Sequence, residues 1–292
     1  MRLFPLGKQD GAFIMNNSGL PASSYAYSSI DDPLGANGTF AQGINDSGAI
    51  VGYYFDAGFT PHGFLDVGGT FTTIVDPLAT GGPVAFGISA SGEIVGELID
   101  AAGGHGFTDI GGVFTTLNDP NANQGSQLST IAYGVNSAGK VVGAYFDAAG
   151  TEHGFEYYKG AYTTVDVPGA TRSAAIGIND SGTVVGAYAD ATGAVHGFID
   201  YQGAFTTPVD DPSAVGYSIL TGVSAAGALV GVYNAGGHTH GFTDIAGNFA
   251  TLDAPGATDT AAFGINASAD VVGYYRDAAG AHGFFADAIH AA

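Results

Sequence analysis

The sequence has no cysteine, and only six of its 292 residues are Lys or Arg. Without Cys there is no disulfide framework, no thiolate metal site and no thiol nucleophile. Against the six cations stand 27 Asp and Glu, for a formal net charge of −21. A surface of that sign repels polyanions, which excludes nucleic acid as a partner and disfavours anionic lipid headgroups. Long apolar runs are missing too, so no stretch reads as a membrane-inserting helix. Residues 1–10 lack the charged and apolar regions of a signal peptide, and the expectation is a chain that begins after a leader has been removed. Segments with 3.6-residue spacing are also absent, which together with the glycine density argues against helices.

What is present is a folded core and a period. Aliphatic and aromatic residues make up 46% of the chain, with 19 Phe and 15 Tyr beside 49 Gly, which is too apolar for a disordered linker. The tripeptide His-Gly-Phe begins at His62, His105, His153, His196, His240 and His282, at intervals of 43, 48, 43, 44 and 42 residues. A second column runs Gly43, Gly87, Gly134, Gly177, Gly222 and Gly264, each followed by Ile or Val and then Asn or Ser. A third is an aromatic strand ending near Asp and Pro, at residues 71–77, 114–120, 162–168, 205–212 and 249–255. Its sixth copy, residues 27–33, lies at the other end of the chain.

Each unit reads as four short strands. In the first unit one strand ends at Gly43-Ile44-Asn45, and Asp46-Ser47-Gly48 makes a tight turn whose Gly can take positive φ. Residues 49–55, 62–67 and 71–75 follow, rich in β-branched and aromatic side chains. Four strands in 40 to 50 residues is the pattern of a β-propeller blade, whose sheet buries its faces only when neighbours stack on it. The expectation is an all-β, six-bladed propeller forming one domain, with blades at about 39–77, 84–120, 130–168, 174–212, 218–255 and 261–292. The last lacks its fourth strand, which residues 24–33 supply to close the ring. Gly11-Ala12-Phe13-Ile14 resembles a worn His-Gly-Phe, so the alternative is seven blades.

The recurring Gly-Ile-Asn-Asp-Ser-Gly, Val-Val-Gly-Tyr-Tyr and His-Gly-Phe words resemble the bacterial "probable extracellular repeat" proteins of the HAF family, over nearly the whole chain. This chain has Gly where the family's His-Ala-Phe has Ala, and no Trp. The resemblance implies a secreted or surface-exposed bacterial repeat protein, and it implies no reaction.

In a propeller the connections after strands two and four open on one face. Asp56, Asp100, Asp147, Asp190 and Asp277 therefore share a face with the Asp residues before the inter-blade Pro (Asp31 or Asp32, Asp76, Asp119, Asp211). Such an acidic crown reads as a site for Ca²⁺ or for a basic or polyhydroxylated ligand, or as type I turn chemistry with no ligand. The six histidines read as structural, each bonding a neighbouring turn, because ligands in separate blades do not converge on one metal. The Tyr column, Tyr54, Tyr145, Tyr188, Tyr233 and Tyr275, reads as blade wall, with sugar stacking near a funnel mouth as its second use.

A specific site must break the symmetry, and the departures are few. In blade two Leu98 replaces the repeat Tyr and Glu97 stands beside it, Glu152 and Glu156 are confined to blade three, His238 is inserted in blade five, and Arg172 and Arg276 are cations directed to the acidic face. These give two readings: a glycan- or cation-binding module without catalysis, and a lyase or hydrolase acting on a polysaccharide or small polar substrate at the central funnel. In the second, His238 and Tyr233 act as base and acid for a lyase, or Glu97 or Glu152 serves hydrolysis. Arg172 and Arg276 either pair with neighbouring Asp or hold a substrate carboxylate. There is no Gly-x-Ser-x-Gly elbow, P-loop or His-Glu-x-x-His word.

Overall fold

The computed structural model describes residues 25–289 apart from Leu78 and Leu128. The described residues form six four-stranded antiparallel sheets and no helix. Blade one is β2 (Thr39–Ile44), β3 (Ile50–Phe55), β4 (Pro61–Val67) and β5 (Thr70–Thr73). Blades two to five are β6–β9 (residues 84–117), β10–β13 (130–164), β14–β17 (172–206) and β18–β21 (218–252). Blade six is β22 (Asp259–Ile265), β23 (Val271–Arg276) and β24 (Ala281–Ala288), and its outer strand is the N-terminal β1 (Tyr25–Ile30). The pairing Tyr25↔Ala288 through Ile30↔Gly283 closes the ring as the repeat phase predicts. The fragment Gly11–Ile14, the basis for a seventh blade, lies outside the described residues.

Every blade has the same irregularity in its inner strand. The register of β2 against β3 skips between Ala41 and Gly43, and equivalent skips precede Gly87, Gly134, Gly177, Gly222 and Gly264. The bulge explains the glycine column. A Cβ on Gly43 would stand 2.8 Å from the Phe86 carbonyl of blade two, and one on Gly87 2.6 Å from the Tyr133 carbonyl of blade three. The column thus marks where each inner strand crosses the bulge of the next blade around the axis.

The Phe of each His-Gly-Phe (Phe64, Phe107, Phe155, Phe198, Phe242, Phe284) is at most 1% exposed. Each packs with residues of an adjoining blade, as Phe64 does with Val272 and Ile30, so the core is a set of inter-blade layers. Burying such a ring contributes about 2–3 kcal/mol.

Candidate ligand site at one mouth of the ring

The two axial mouths are chemically different. The mouth formed by the turns after each inner strand is a symmetric collar of Asn45, Ser89, Asn136, Asn179, Ser224 and the Ile265–Asn266 turn, over Ile44, Ile88, Val135, Ile178 and Val223. Its polar atoms are spent on the scaffold. Asn45 Oδ1 accepts from Ser47 N (3.1 Å) and Ala49 N (3.0 Å), and Nδ2 donates to the Ser89 carbonyl of the next blade (3.1 Å). Asn136 and Asn179 do the same towards blades four and five. The Asp residues there are also engaged: Asp180 accepts from Ser137 N and Oγ, and Asp46 from Ala267 N.

On the opposite face the His-Gly-Phe histidines of blades two, three, four and six bridge the two connections that open there. His153 lies 2.7 Å from Asp166 through Nδ1 and 3.6 Å from Asp147 through Nε2. His196 spans Asp210 and Asp190 in the same way, and His282 spans Asp31 and Asp277. In blade two the partners are Asn118 and Asp100. Blade five keeps Asp253 but has Asn234 for the turn Asp. In blade one His62 meets Asp56 at 3.1 Å, and the position of the second acid is occupied by Val75. The histidines are therefore held in their own blades by carboxylates.

The crown itself is turn chemistry. Asp147 Oδ1 accepts from Ala149 N and Thr151 N, both at 2.8 Å, and Asp56, Asp190 and Asp277 make equivalent bonds. Backbone N–H donors hold the Asp56, Asp100 and Asp147 carboxyls below their usual range, and the Thr192 hydroxyl leads for Asp190. Among the described residues no three His, Asp or Glu converge as a metal would require. Of the acids before Pro, Asp32, Asp119 and Asp211 are not on the crown: they are buried and cap the loop at Leu34 N, Asn121 N and Ser213 N. Where an acid stands one residue earlier it is that acid which meets the histidine, because the strand alternation turns only that side chain outward.

The Tyr column is wall. Tyr54, Tyr145 and Tyr233 are 3–5% exposed, and Tyr54, Tyr145, Tyr233 and Tyr275 stack on their own histidine at 5.1–5.2 Å. Tyr188 meets His196 at 5.5 Å. The Tyr233 hydroxyl is bonded to Thr251 (3.0 Å), while His238 is exposed and faces Asp259 at 3.7 Å, so the two have different partners.

The residues that break the symmetry lie in separate blades and share neighbours. Arg172 stands 3.7 Å from Glu152. Burial raises the Tyr133 hydroxyl pKa, and the charges of Glu152 and Glu97 add to it. Burial likewise pushes Tyr53 up to about 12, with Tyr274 and Glu97 adding and Arg276 opposing. Arg276 and His238 both bear on Asp259, whose carboxyl is lowered first by the Thr239 N–H. Arg172, His238 and Arg276 thus stand at strand ends on this face in three separate blades, with Arg172 beside Glu152 and Arg276 beside Asp259, while Glu97 lies mid-strand in β7 (Ile94–Asp100) of a fourth.

One relation was not legible in the repeat alone. The second-strand position held by Glu97 is Tyr53 in blade one and Tyr274 in blade six, but Ala144, Ala187 and Val232 in blades three to five. Phe40 stacks on Tyr53 at 5.0 Å and meets Tyr274 edge-on at 4.9 Å, and Phe55 sits against both Phe40 and Tyr53. Arg276 lies over the Tyr274 ring at 5.8 Å. Blades six and one therefore share an aromatic cluster in which Phe40 is buried and Tyr53, Phe55 and Tyr274 are half-buried, and Glu97 holds the corresponding position in blade two. Glu97 is half-buried, burial alone raises its carboxyl pKa, and it has no hydrogen-bond or ion-pair partner among the described residues. Its signal in the sequence was a single acid in a column otherwise held by Tyr, Ala and Val.

Neither a protein-family model nor a curated protein sequence matches the chain. Solved structures match it in fold. The fucose-recognising lectin of Aleuria aurantia, a six-bladed β-propeller, is 12% identical with a TM-score of 0.51 over 86% of this chain and 91% of the lectin. The gluconolactonase XC5397 of Xanthomonas campestris is 12% identical, with a TM-score of 0.55 over 91% and 90% of the two chains. AofleA of Arthrobotrys oligospora is 10% identical, with a TM-score of 0.53 over 87% and 84%. The chain is similar to these as a six-bladed β-propeller.

Proposed function

We propose that the protein is an extracellular carbohydrate-binding propeller whose glycan seats against Tyr53, Tyr274, Glu97 and Arg276. The observation that carries this reading is Glu97, a half-buried carboxyl without a partner among the described residues, in the blade beside an aromatic cluster. Sugar rings present apolar faces that suit aromatic walls, and vicinal hydroxyls that suit a carboxylate and a guanidinium. The repeat words shared with the HAF-type extracellular proteins support a place outside the cell. The crown carboxylates, each engaged by turn N–H groups, make Ca²⁺ a weaker candidate than a glycan. The test is a glycan array: retention of defined glycans by the wild-type protein, reduced in Glu97→Gln, supports the reading.

A lyase or hydrolase is the second reading, and the half-buried carboxyl of Glu97 favours it, since burial raises its pKa and a carboxyl that holds its proton more tightly can donate to a leaving oxygen. New reducing or unsaturated ends on incubation with polysaccharides would establish that reading in place of simple binding.

A further inference from the structure

The connection between β3 and β4 differs from its copies at one residue. Three residues after the turn Asp, the other blades that keep that Asp have Gly103, Gly150, Gly193 and Gly280, all at positive φ. Blade one has Phe59, at φ +61° and 70% exposed. The other non-Gly residues at positive φ are Lys159, Gln202, Ala246 and Ala269, none of them aromatic. A Cβ in this region is strained, and an aromatic ring in water recovers none of that cost by burial.

The turn that carries the ring is held firmly. Phe59 N donates to the Asp56 carbonyl at 3.0 Å, while Asp56 Oδ1 takes Gly58 N (2.8 Å) and Thr60 N (2.9 Å). Asn37 of the preceding connection donates from Nδ2 to the Asp56 carbonyl (2.6 Å) and from its backbone N to the Phe55 carbonyl (3.0 Å). The backbone that carries the exposed ring is thus held in place. The ring lies four residues beyond Phe55, at the outer end of the cluster Tyr274–Phe40–Tyr53–Phe55. The same blade has also exchanged an acid for Val75, which is 67% exposed. Both changes make this part of the acidic face apolar.

We infer that Phe59 is an outer stacking platform for a sugar unit, so that the site takes an oligosaccharide or polysaccharide chain running from the axial mouth over blade one. This rests on the carbohydrate reading above. It explains why a strained ring stands where glycine would serve the turn better.

The experiment compares wild type with Phe59→Gly by calorimetric titration of cello-, laminari- and chito-hexaose and their monosaccharides. The expected result is binding of a hexasaccharide weakened about 10-fold or more in the variant, unchanged monosaccharide affinity, and a melting temperature about 2 °C higher because the strain is gone. Equal hexasaccharide binding by both proteins overturns the role of Phe59 and leaves the carbohydrate reading standing. Failure of the wild type to bind any of these sugars overturns both. A lower melting temperature makes Phe59 a packing residue, and retention on an octyl resin that is lost in the variant, with sugar binding intact, assigns the ring to an apolar partner; either result overturns the inference.

Discussion

His153 and Asp166 are joined by a 2.7 Å contact between Nδ1 and Oδ2 that ties the third strand of blade three to the connection leaving it. Burial opposes the imidazolium, but the bonds and charges of Asp166 and Asp147 outweigh it and raise the His153 pKa above the ordinary 6.5. A raised folded value contributes stability that is present below the unfolded pKa and lost as pH rises through the folded one. Asp147 has the opposite sign: its lowered carboxyl stabilises above 3.8 and the contribution disappears on acidification. Thermal melts of wild type and His153→Gln should therefore differ most below pH 6.5 and converge as pH rises above it. A constant difference across that range would contradict the clamp.

Asn45 gives a second prediction. Its side chain caps two N–H groups of its own turn and donates to the neighbouring blade. Asn45→Ala should lower stability by about 2–3 kcal/mol in denaturant unfolding. Asn45→Ser should cost about 1 kcal/mol, because Ser89 and Ser224 keep one cap in the equivalent position through Glu93 N and Ala228 N.

The glycine column and the turn glycines should separate sharply. Gly43→Ala drives a Cβ against the Phe86 carbonyl, a backbone atom of the next blade that cannot turn aside. A loss of about 3 kcal/mol is expected. Gly48, at φ +80° with open space around it, should cost only about 1 kcal/mol on the same change. Chemical unfolding of the two variants checks the contrast.

How much of this was legible in the sequence follows from what repeats. Six copies of His-Gly-Phe and of the Gly column fix the blade, its strand order and the closure by β1, because every copy votes for the same packing. The two kinds of acid near Pro were not separated: Asp31 and Asp32 look alike in sequence, and only strand alternation turns one to His282 and buries the other. Nor could spacing foresee that Phe40, Tyr53 and Tyr274, from two blades distant in sequence, form one aromatic cluster. Glu97 was visible as a departure from the repeat, whereas Phe59 went unread, because its meaning depends on exposure and on backbone φ.

Glu97 should also show its cost. Burial raises its carboxyl pKa, so the folded state holds the proton more tightly than the unfolded one and loses stability as pH rises through the folded value. Glu97→Gln is expected to melt higher than wild type at pH 8 and at the same temperature near pH 4. An unchanged or lower melt at pH 8 would mean that the carboxylate has a stabilising partner.

The most direct test of the carbohydrate site is titration of the glycan best retained on the array into wild type and Glu97→Gln, both confirmed folded by their melts. A site built around Glu97 predicts affinity at least about 10-fold weaker in the variant. Equal affinity in the two proteins would contradict it.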